Sequence, residues 1–228
     1  MSSARGDAAA LLLDVDGTLV DTAYLHTLAW QRACSANGFD VAAHRIHRLI
    51  GMGGDQFVPA LLGEEVERTH GDALRDAWQE HYEPLRAEAR PLPGAAELIH
   101  RAHDEGWRVV FASSSPAEHL EHYLELVGAT GLRDRATTSD DVARTKPAPD
   151  IVTVALEMAG TRAALLVGDS THDVRAAARA GIGCVGVLTG GYGEAELHDA
   201  GALAVDETPA HLAERLADLE RLALVTHA

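Results

Sequence analysis

The stretch that decides the fold is Leu11-Leu12-Leu13-Asp14-Val15-Asp16-Gly17-Thr18-Leu19-Val20-Asp21-Thr22. It begins as a short apolar run, which predicts a buried strand over residues 10–16, and it breaks at Gly17. In an extended strand Asp14 and Asp16 point to the same side, about 6.6 Å apart along the chain. Two carboxylates at a strand end are costly to desolvate unless a cation or hydrogen-bond donors offset their repulsion. The pattern indicates either a ligand site at this strand end or a plain acidic turn.

Composition limits the partners that the chain can have. Its 228 residues are 46% hydrophobic, as in ordinary globular proteins, and they carry a formal net charge of −16. This charge disfavours binding to nucleic acid or to an anionic membrane surface. Cys34 and Cys184 lie far apart and fit no metal-binding pair, and no apolar run approaches the length of a membrane span. We therefore expect a cytoplasmic protein with reduced thiols, present as a monomer or a weak homodimer.

Residues 20–90 differ in pattern from the rest of the chain. Apolar residues recur there at helical spacing, and no convincing strand occurs. The block ends at the linker-like Pro91-Leu92-Pro93-Gly94, after which short apolar strands alternate with helices. Such alternation is typical of a parallel sheet with helices on both faces. We predict an α/β fold in which residues 1–19 and 91–228 form a Rossmann-like, doubly wound parallel core, with an α-helical cap inserted over residues 20–90.

Polar residues stand at four predicted strand or loop ends of this core: Asp14 with Asp16, Ser113–Ser115, Lys146, and Asp169 with Asp173. Parallel strands place their carboxyl ends at one edge of the sheet, so these groups can converge although they are distant in sequence. Several carboxylates suit a hard divalent cation such as Mg²⁺, which also takes oxygens from water and substrate. A lysine and a hydroxyl can hold the remaining oxygens of a phosphoryl group.

Each of these residues also has a plainer interpretation. The serines at 113–115 could cap a helix ahead of Pro116, and Asp173 stands where a capping-box acid would follow Ser170. A lysine taken alone is usually surface charge. However, Lys146 is the single lysine among 19 basic residues, and it lies just before a predicted helix. The shared location of all these groups favours a ligand site, while the capping roles stay open.

At this point the chain resembles a known family, the haloacid dehalogenase-like hydrolases, over residues 10–225. Four segments carry the resemblance, in order and at the usual separations: Asp14-Val15-Asp16-Gly17-Thr18-Leu19-Val20, Ser113, Lys146-Pro147, and Gly168-Asp169-Ser170-Thr171-His172-Asp173. A helical cap between the first and second segments also fits the family. Within the cap, His47-Arg48-Leu49-Ile50-Gly51-Met52 resembles the branch that contains phosphoglycolate phosphatases and β-phosphoglucomutases.

The resemblance implies a role for each matching residue. Asp14 would attack phosphorus and form an aspartyl-phosphate, and Asp16 would protonate the leaving alcohol and then activate water. Asp14, the backbone carbonyl of Asp16, Asp169 and Asp173 would hold Mg²⁺, while Ser113, Ser114 and Lys146 would bind phosphoryl oxygens. The substrate would be a small phosphorylated metabolite, selected by residues in or near the cap: His26, Arg48, Gly51 and Trp78.

Single residues then separate the members of the family. Dehalogenases lack an acid at the position of Asp16, and phosphonate-cleaving relatives need a cap lysine, whereas residues 20–90 contain no lysine. A phosphosugar mutase stays open, because the segment from Thr22 to His26 resembles that of β-phosphoglucomutase. Gly53 and Gly54, however, stand where the mutase-like cap has an arginine for a second phosphate. We therefore favour a phosphatase, with a mutase as the alternative.

A phosphoacceptor receiver domain is a more distant alternative. It also combines a strand-end aspartate with Mg²⁺, a hydroxyl and a lysine. Receiver domains are about half as long as this chain, and they carry no insert after the strand that bears the aspartate. We therefore expect multiple turnover instead of stable retention of a phosphoryl group.

Overall fold

The structure is a computed structural model that describes residues 8–225. Its centre is a six-stranded parallel sheet in the order β3-β2-β1-β4-β5-β6. The strands are β1 (Ala10–Leu13), β2 (Arg108–Ala112), β3 (Ala136–Thr137), β4 (Ala164–Gly168), β5 (Gly183–Val187) and β6 (Ala204–Asp206). The first strand in sequence therefore lies in the middle of the sheet, and the predicted α/β fold is confirmed. Residues 1–7 and 226–228 of the predicted core lie outside the described residues.

The side chains of β1 alternate between the two faces of the sheet. Leu11 and Leu13 join one hydrophobic cluster, and Ala10 and Leu12 join a second cluster on the opposite face. Helices cover both faces, which explains why this strand is apolar at every position. The helices of the core are α5 (Ala95–Asp104), α6 (Ala117–Leu126), α7 (Asp150–Ala159), α8 (Thr171–Ala180), α9 (Glu194–Ala200), α10 (Pro209–Glu214) and α11 (Leu216–Val225).

The predicted cap region contains helices only: α1 (Ala23–Ala36), α2 (Ala43–His47), α3 (Gly54–Leu62) and α4 (Glu64–Arg86). They surround a third hydrophobic cluster, in which Trp30 stacks on Phe57 with ring centroids 4.2 Å apart. The cap boundaries at 19/20 and 90/91 stay a prediction. No helix within residues 8–225 is both long and apolar enough to cross a membrane.

Several predicted element bounds need correction. The first strand ends at Leu13, three residues before the predicted end, because the chain turns back through Gly17, whose N–H donates to Val20 O at 2.8 Å. Apolar spacing predicts two separate helices over 64–70 and 72–89, whereas the structure has one continuous helix there, α4. Apolar spacing also predicts one terminal helix over 209–224, which the structure divides into α10 and α11 near Arg215, and it does not predict α9.

Candidate active site

Asp14 and Lys146 meet at the carboxyl edge of the sheet. Asp14 directly follows β1, and its N–H donates to Val167 O at 2.9 Å, which extends the pairing of β1 with β4. Lys146 is fully buried; its Nζ contacts Asp14 Oδ1 and lies 2.7 Å from Asp173 Oδ1. Burial opposes the charged ammonium, but the two carboxylates outweigh it and raise the pKa of Lys146 above its ordinary value. The lysine is a buried cation at the site and does not contribute surface charge.

Three buried carboxylates surround this lysine. Oxygens of Asp14, Asp169 and Asp173 lie within 4.8 Å of one another. Thr18 Oγ1 lies between two of them, 3.0 Å from Asp14 Oδ2 and 3.0 Å from Asp169 Oδ1. Burial, with added repulsion from Asp173, raises the pKa of Asp14 to about 7, although Lys146 acts in the opposite direction. Burial and repulsion from Asp173 and Asp14 also raise the pKa of Asp169.

This donor set suits a divalent cation. One ammonium faces three carboxylates, so the pocket carries excess negative charge when all three are ionised. The donors are hard oxygens, which Mg²⁺ prefers over nitrogen or sulfur. Gly17 makes room for them: its φ is +77°, and a Cβ there would lie 2.6 Å from Asp169 Oδ2. A side chain at position 17 would therefore displace a carboxylate of the cluster.

Asp16 is held apart from that cluster by three donors. Thr22 Oγ1 lies 2.7 Å and His26 Nε2 lies 2.8 Å from Asp16 Oδ1, while Ser115 Oγ donates to Oδ2 at 2.6 Å. Burial opposes ionisation of this carboxyl, but His26 and the hydrogen bonds from Ser115 and Thr22 outweigh it and lower the pKa of Asp16 to about 2. The Asp16 carboxylate is thus ionised and does not belong to the carboxylate cluster.

The three serines after β2 have different surroundings. Ser113 is fully buried and its Oγ accepts a hydrogen bond from Ser115 N at 3.0 Å. Ser114 Oγ is shielded from solvent and has no hydrogen-bond partner among the described residues. The alternative that these serines cap the next helix is wrong: α6 has Pro116 at its N-cap and no side-chain cap. The capping alternative for Asp173 is confirmed, since Ser170 and Asp173 form a capping box at α8.

A cavity of about 440 Å³ opens beside these groups, between the cap and the core. The predicted residues that line it are Asp14, Asp16, His26, Gly51, Trp78 and Ser114. Lys146 and Ser113 are buried below it. Arg48 does not reach the cavity. Its guanidinium is paired with Glu196 of α9 at 2.5 Å and lies 5.1 Å from the centre of the Tyr192 ring, so it contacts the core outside the cavity.

Sequence reasoning assigned no contact with the site's carboxylates to several residues that the structure places there. Thr18, Ser115 and Ser170 each bind a carboxylate of the cluster or Asp16, and their proximity to the predicted acids and serines was the available signal. One contact between the predicted cap and the core, made by Thr145, could not be found in this way, because its partners are distant in sequence. Thr145, next to Lys146, accepts a hydrogen bond from Gly53 N at 2.9 Å and binds Asp55 through its hydroxyl and through its N–H at 3.1 Å.

A parallel α/β core with an aspartate cluster at its carboxyl edge and a helical cap inserted after the first strand defines a capped hydrolase. The chain belongs to the haloacid dehalogenase-like hydrolases, whose family pattern matches residues 8–181. A phosphoglycolate phosphatase from Mesorhizobium japonicum is 30% identical over 222 residues, which cover 90% of this chain and 95% of that protein.

Two further proteins show the range of names among similar sequences and structures. A phosphonoacetaldehyde hydrolase from Bordetella pertussis is 30% identical over 201 residues, covering 80% of this chain and 73% of that protein. A crystal structure of a hydrolase from Pseudomonas syringae superposes with a TM-score of 0.87 at 33% identity, covering 92% of this chain and 98% of the other. All three names describe hydrolases, but they do not indicate a common substrate.

Proposed function

We propose that the protein is a Mg²⁺-dependent phosphatase that hydrolyses a small phosphomonoester through an aspartyl-phosphate at Asp14. One observation carries the proposal: Asp14 lines the cavity while contacting Lys146 and Thr18 and standing within the cluster of Asp169 and Asp173. A carboxylate so placed can reach a phosphoryl group in the cavity. Lys146 then offsets the charge that the phosphoryl oxygens bring.

Two steps follow from these positions. An oxygen of Asp14 attacks phosphorus, the P–O bond to the alcohol breaks, and the leaving oxygen takes a proton from Asp16. Water then attacks the phosphorus of the aspartyl-phosphate, Asp16 accepts its proton, and Asp14 leaves as a carboxylate. Ser114, whose hydroxyl has no partner among the described residues, is available to donate to a phosphoryl oxygen. Ser113 supports this loop through Ser115.

Asp14, Asp169 and Asp173 would hold Mg²⁺, together with the backbone carbonyl of Asp16. When bound, the ion would neutralise phosphoryl charge and orient the group for in-line attack. The chain's own contribution is to pre-position the carboxylates. Thr18 bridges Asp14 and Asp169, and Ser170 fixes Asp173 through a hydrogen bond of 2.6 Å.

The arrangement of Asp16 fits the second step better than the first. A carboxyl whose pKa is about 2 is ionised at neutral pH and can accept a proton from water. To donate a proton to the leaving oxygen, Asp16 must lose its contacts with His26 and Thr22, which favour the ionised form. His26 and Thr22 belong to the predicted cap, so we propose that cap movement over residues 20–90 controls when Asp16 acts.

A phosphosugar mutase is the second candidate, and the contact of 2.8 Å between His26 and Asp16 is the observation that favours it. A mutase must also bind a bisphosphate. Gly53 and Gly54 offer no side-chain cation for a second phosphate, and the chain's only lysine is Lys146, deep in the core. For the same reason the Bordetella relative's activity does not transfer to this chain, because a Schiff base would need a free lysine at the cap.

We also propose a cytoplasmic location and a small-molecule substrate, with neither nucleic acid nor membrane as partner. Both cysteines, Cys34 and Cys184, are free and buried, which suits a reducing compartment. The net charge of −16 disfavours polyanionic partners. A monomer or a weak homodimer remains our expectation.

The test is phosphate release from a panel of sugar phosphates, phosphoglycolate and nucleotides, with Mg²⁺ and then with EDTA. We expect Mg²⁺-dependent, multiple-turnover release by the native chain and none by Asp14→Asn. Adding β-glucose 1,6-bisphosphate to β-glucose 1-phosphate, followed by ³¹P NMR, separates the candidates: glucose 6-phosphate would indicate a mutase. Wild-type turnover in Asp14→Asn would exclude the proposed nucleophile.

A further inference from the structure

The cap side of the cavity contains an arginine that is already paired within the protein. Arg75 is the sole arginine or lysine among the described residues that line the cavity. Its Nη1 donates to both carboxylate oxygens of Glu67 at 3.0 Å, and its Nη2 donates to Asp72 at 2.8 Å. Nη1 also lies 3.3 Å from Gly54 O. The guanidinium therefore already has two carboxylate partners, Glu67 and Asp72, before any ligand enters.

Helix α4 accommodates this pair with a glycine. Gly71 lies between Glu67 and Arg75 on one helix face, at a mid-helix position where glycine is less favourable than alanine. A Cβ at Gly71 would lie 2.6 Å from Glu67 Oε2 and 2.8 Å from Arg75 Nη2. The glycine thus leaves the space in which the Glu67–Arg75 pair forms.

The remaining surface on this side of the cavity is aromatic and acidic. The rings of Trp30 and Trp78 stack with centroids 5.5 Å apart, and both line the cavity. Asp55 and Asp76 line it as well, and Asp76 is exposed. Aromatic faces pack against the C–H faces of a ring, and carboxylates accept hydrogen bonds from hydroxyls. A carboxylate or second phosphate here would instead meet like charge, with no unpaired arginine to offset it.

We propose that Glu67 is a specificity-determining residue that withholds Arg75 from the substrate. The cavity then takes the monophosphate of an uncharged, hydroxylated ring and discriminates against a leaving group that carries a carboxylate or a second phosphate. This inference rests on the proposed phosphatase function and adds the chemical class of its substrate.

The experiment compares kcat/KM for β-glucose 1-phosphate, myo-inositol 1-phosphate and phosphoglycolate in the Mg²⁺-loaded enzyme. The native chain should prefer the better ring monophosphate over phosphoglycolate by about tenfold or more. Glu67→Gln, and independently Gly71→Ala, should shift this ratio toward phosphoglycolate by about tenfold through KM, as expected when one charge-assisted hydrogen bond becomes available. Glu65→Gln is the matched control, because Glu65 pairs with Arg68 on the exposed side of the same helix and does not line the cavity.

Calorimetric titration of phosphoglycolate measures its dissociation constant without turnover, in the Asp14→Asn variant and in the double variant Asp14→Asn with Glu67→Gln. We expect the double variant to bind phosphoglycolate about tenfold more tightly. Equal use of phosphoglycolate and ring monophosphates by the native chain would overturn the inference. So would an unchanged ratio in Glu67→Gln and Gly71→Ala variants whose circular dichroism matches that of the native chain. Hydrolysis of no ester at all, including p-nitrophenyl phosphate, would overturn the proposed phosphatase function instead.

Discussion

His26 Nε2 lies 2.8 Å from Asp16 Oδ1, so a residue of the predicted cap holds a carboxylate that stands three residues after the first strand of the core. The His26 ring is itself fixed by stacking on Tyr82, with centroids 4.1 Å apart and an interplanar angle of 11°. The position of α1 and α4 is thereby coupled to the protonation of Asp16. This coupling can be tested through pH dependence.

We expect His26→Asn to shift the acidic limb of the pH profile of the second step, measured as single-turnover decay of the aspartyl-phosphate, to higher pH. In the native chain the pKa of Asp16 is about 2; without the histidine, burial, already the largest single influence, is opposed only by the hydrogen bonds from Ser115 and Thr22, so the pKa rises. The fraction of ionised Asp16 then falls at a higher pH than in the native enzyme. His103→Asn is the control, since His103 is half-exposed and its neighbour is the surface residue Asp104. An acidic limb at the same pH in both variants would contradict the assigned coupling.

Metal binding should stabilise the fold through the carboxylate cluster. Burial and mutual repulsion raise the pKa of Asp14 and of Asp169, so a cation that offsets this repulsion binds the native state preferentially. At Mg²⁺ concentrations about a hundredfold above Kd, the gain is about 2.7 kcal/mol. We expect a higher Tm with Mg²⁺ than with EDTA, measured by differential scanning calorimetry.

Asp169→Asn should abolish most of that Mg²⁺-dependent rise in Tm, and it should raise the Tm in EDTA because one repelling charge is removed. Asp104→Asn, at an exposed position, serves as the control and should respond to Mg²⁺ as the native chain does. A Tm that rises equally with Mg²⁺ in Asp169→Asn and in the control would exclude this cluster as the binding site.

Lys146→Met should destabilise the metal-free protein by about 3–5 kcal/mol, the usual result of leaving buried charges without their partner. The affected carboxylates are Asp14 and Asp173, both within contact of Nζ. Urea denaturation gives the free energy of unfolding. Adding Asp14→Asn to Lys146→Met should recover part of the loss, because the two residues share one interaction. Strictly additive effects would show that the two side chains are not coupled.

The core was predictable from sequence because short apolar strands and their turn residues repeat along the chain. Leu11 and Leu12 are buried on opposite faces, so an uninterrupted apolar run was itself the signal for a central parallel strand. The strand-end acids and Lys146 followed from the same topology. The apolar pattern does not show where a strand stops pairing with its neighbours. For this reason the end of β1 was not predictable: it lies at Leu13, because the backbone turns at Gly17.

The cap side of the site was less predictable, because it depends on which face of each helix meets the core. Arg48 belongs to a segment typical of the family, yet it pairs with Glu196 instead of lining the cavity. Arg75 lines the cavity but stands in a charged helix whose sequence gives no sign of that role. Side-chain pairing between distant segments, such as Asp55 with Thr145, leaves no periodic pattern.

That last contact leads to a prediction about cap position. Thr145 is buried, and its hydroxyl accepts a hydrogen bond from Gly53 N at 2.9 Å and contacts Asp55. These contacts hold the start of α3 against the segment that carries Lys146. Thr145→Val removes the hydroxyl at nearly constant volume and leaves both partners short of a hydrogen bond. We expect a loss of about 1–3 kcal/mol in unfolding free energy.

In the same variant kcat/KM should fall about tenfold, because the cap no longer holds the residues that line the cavity at a fixed distance from Asp14. The dissociation constant of Mg²⁺ should not change, since Thr145 does not contact the carboxylate cluster. Thr145→Ser should restore both stability and turnover by returning the hydroxyl. Thr153→Val makes the same chemical change at an exposed position of α7 and should leave kcat/KM unaltered. If Thr145→Val keeps the native kcat/KM and unfolding free energy, the hydrogen bonds of the hydroxyl do not set the position of the cap.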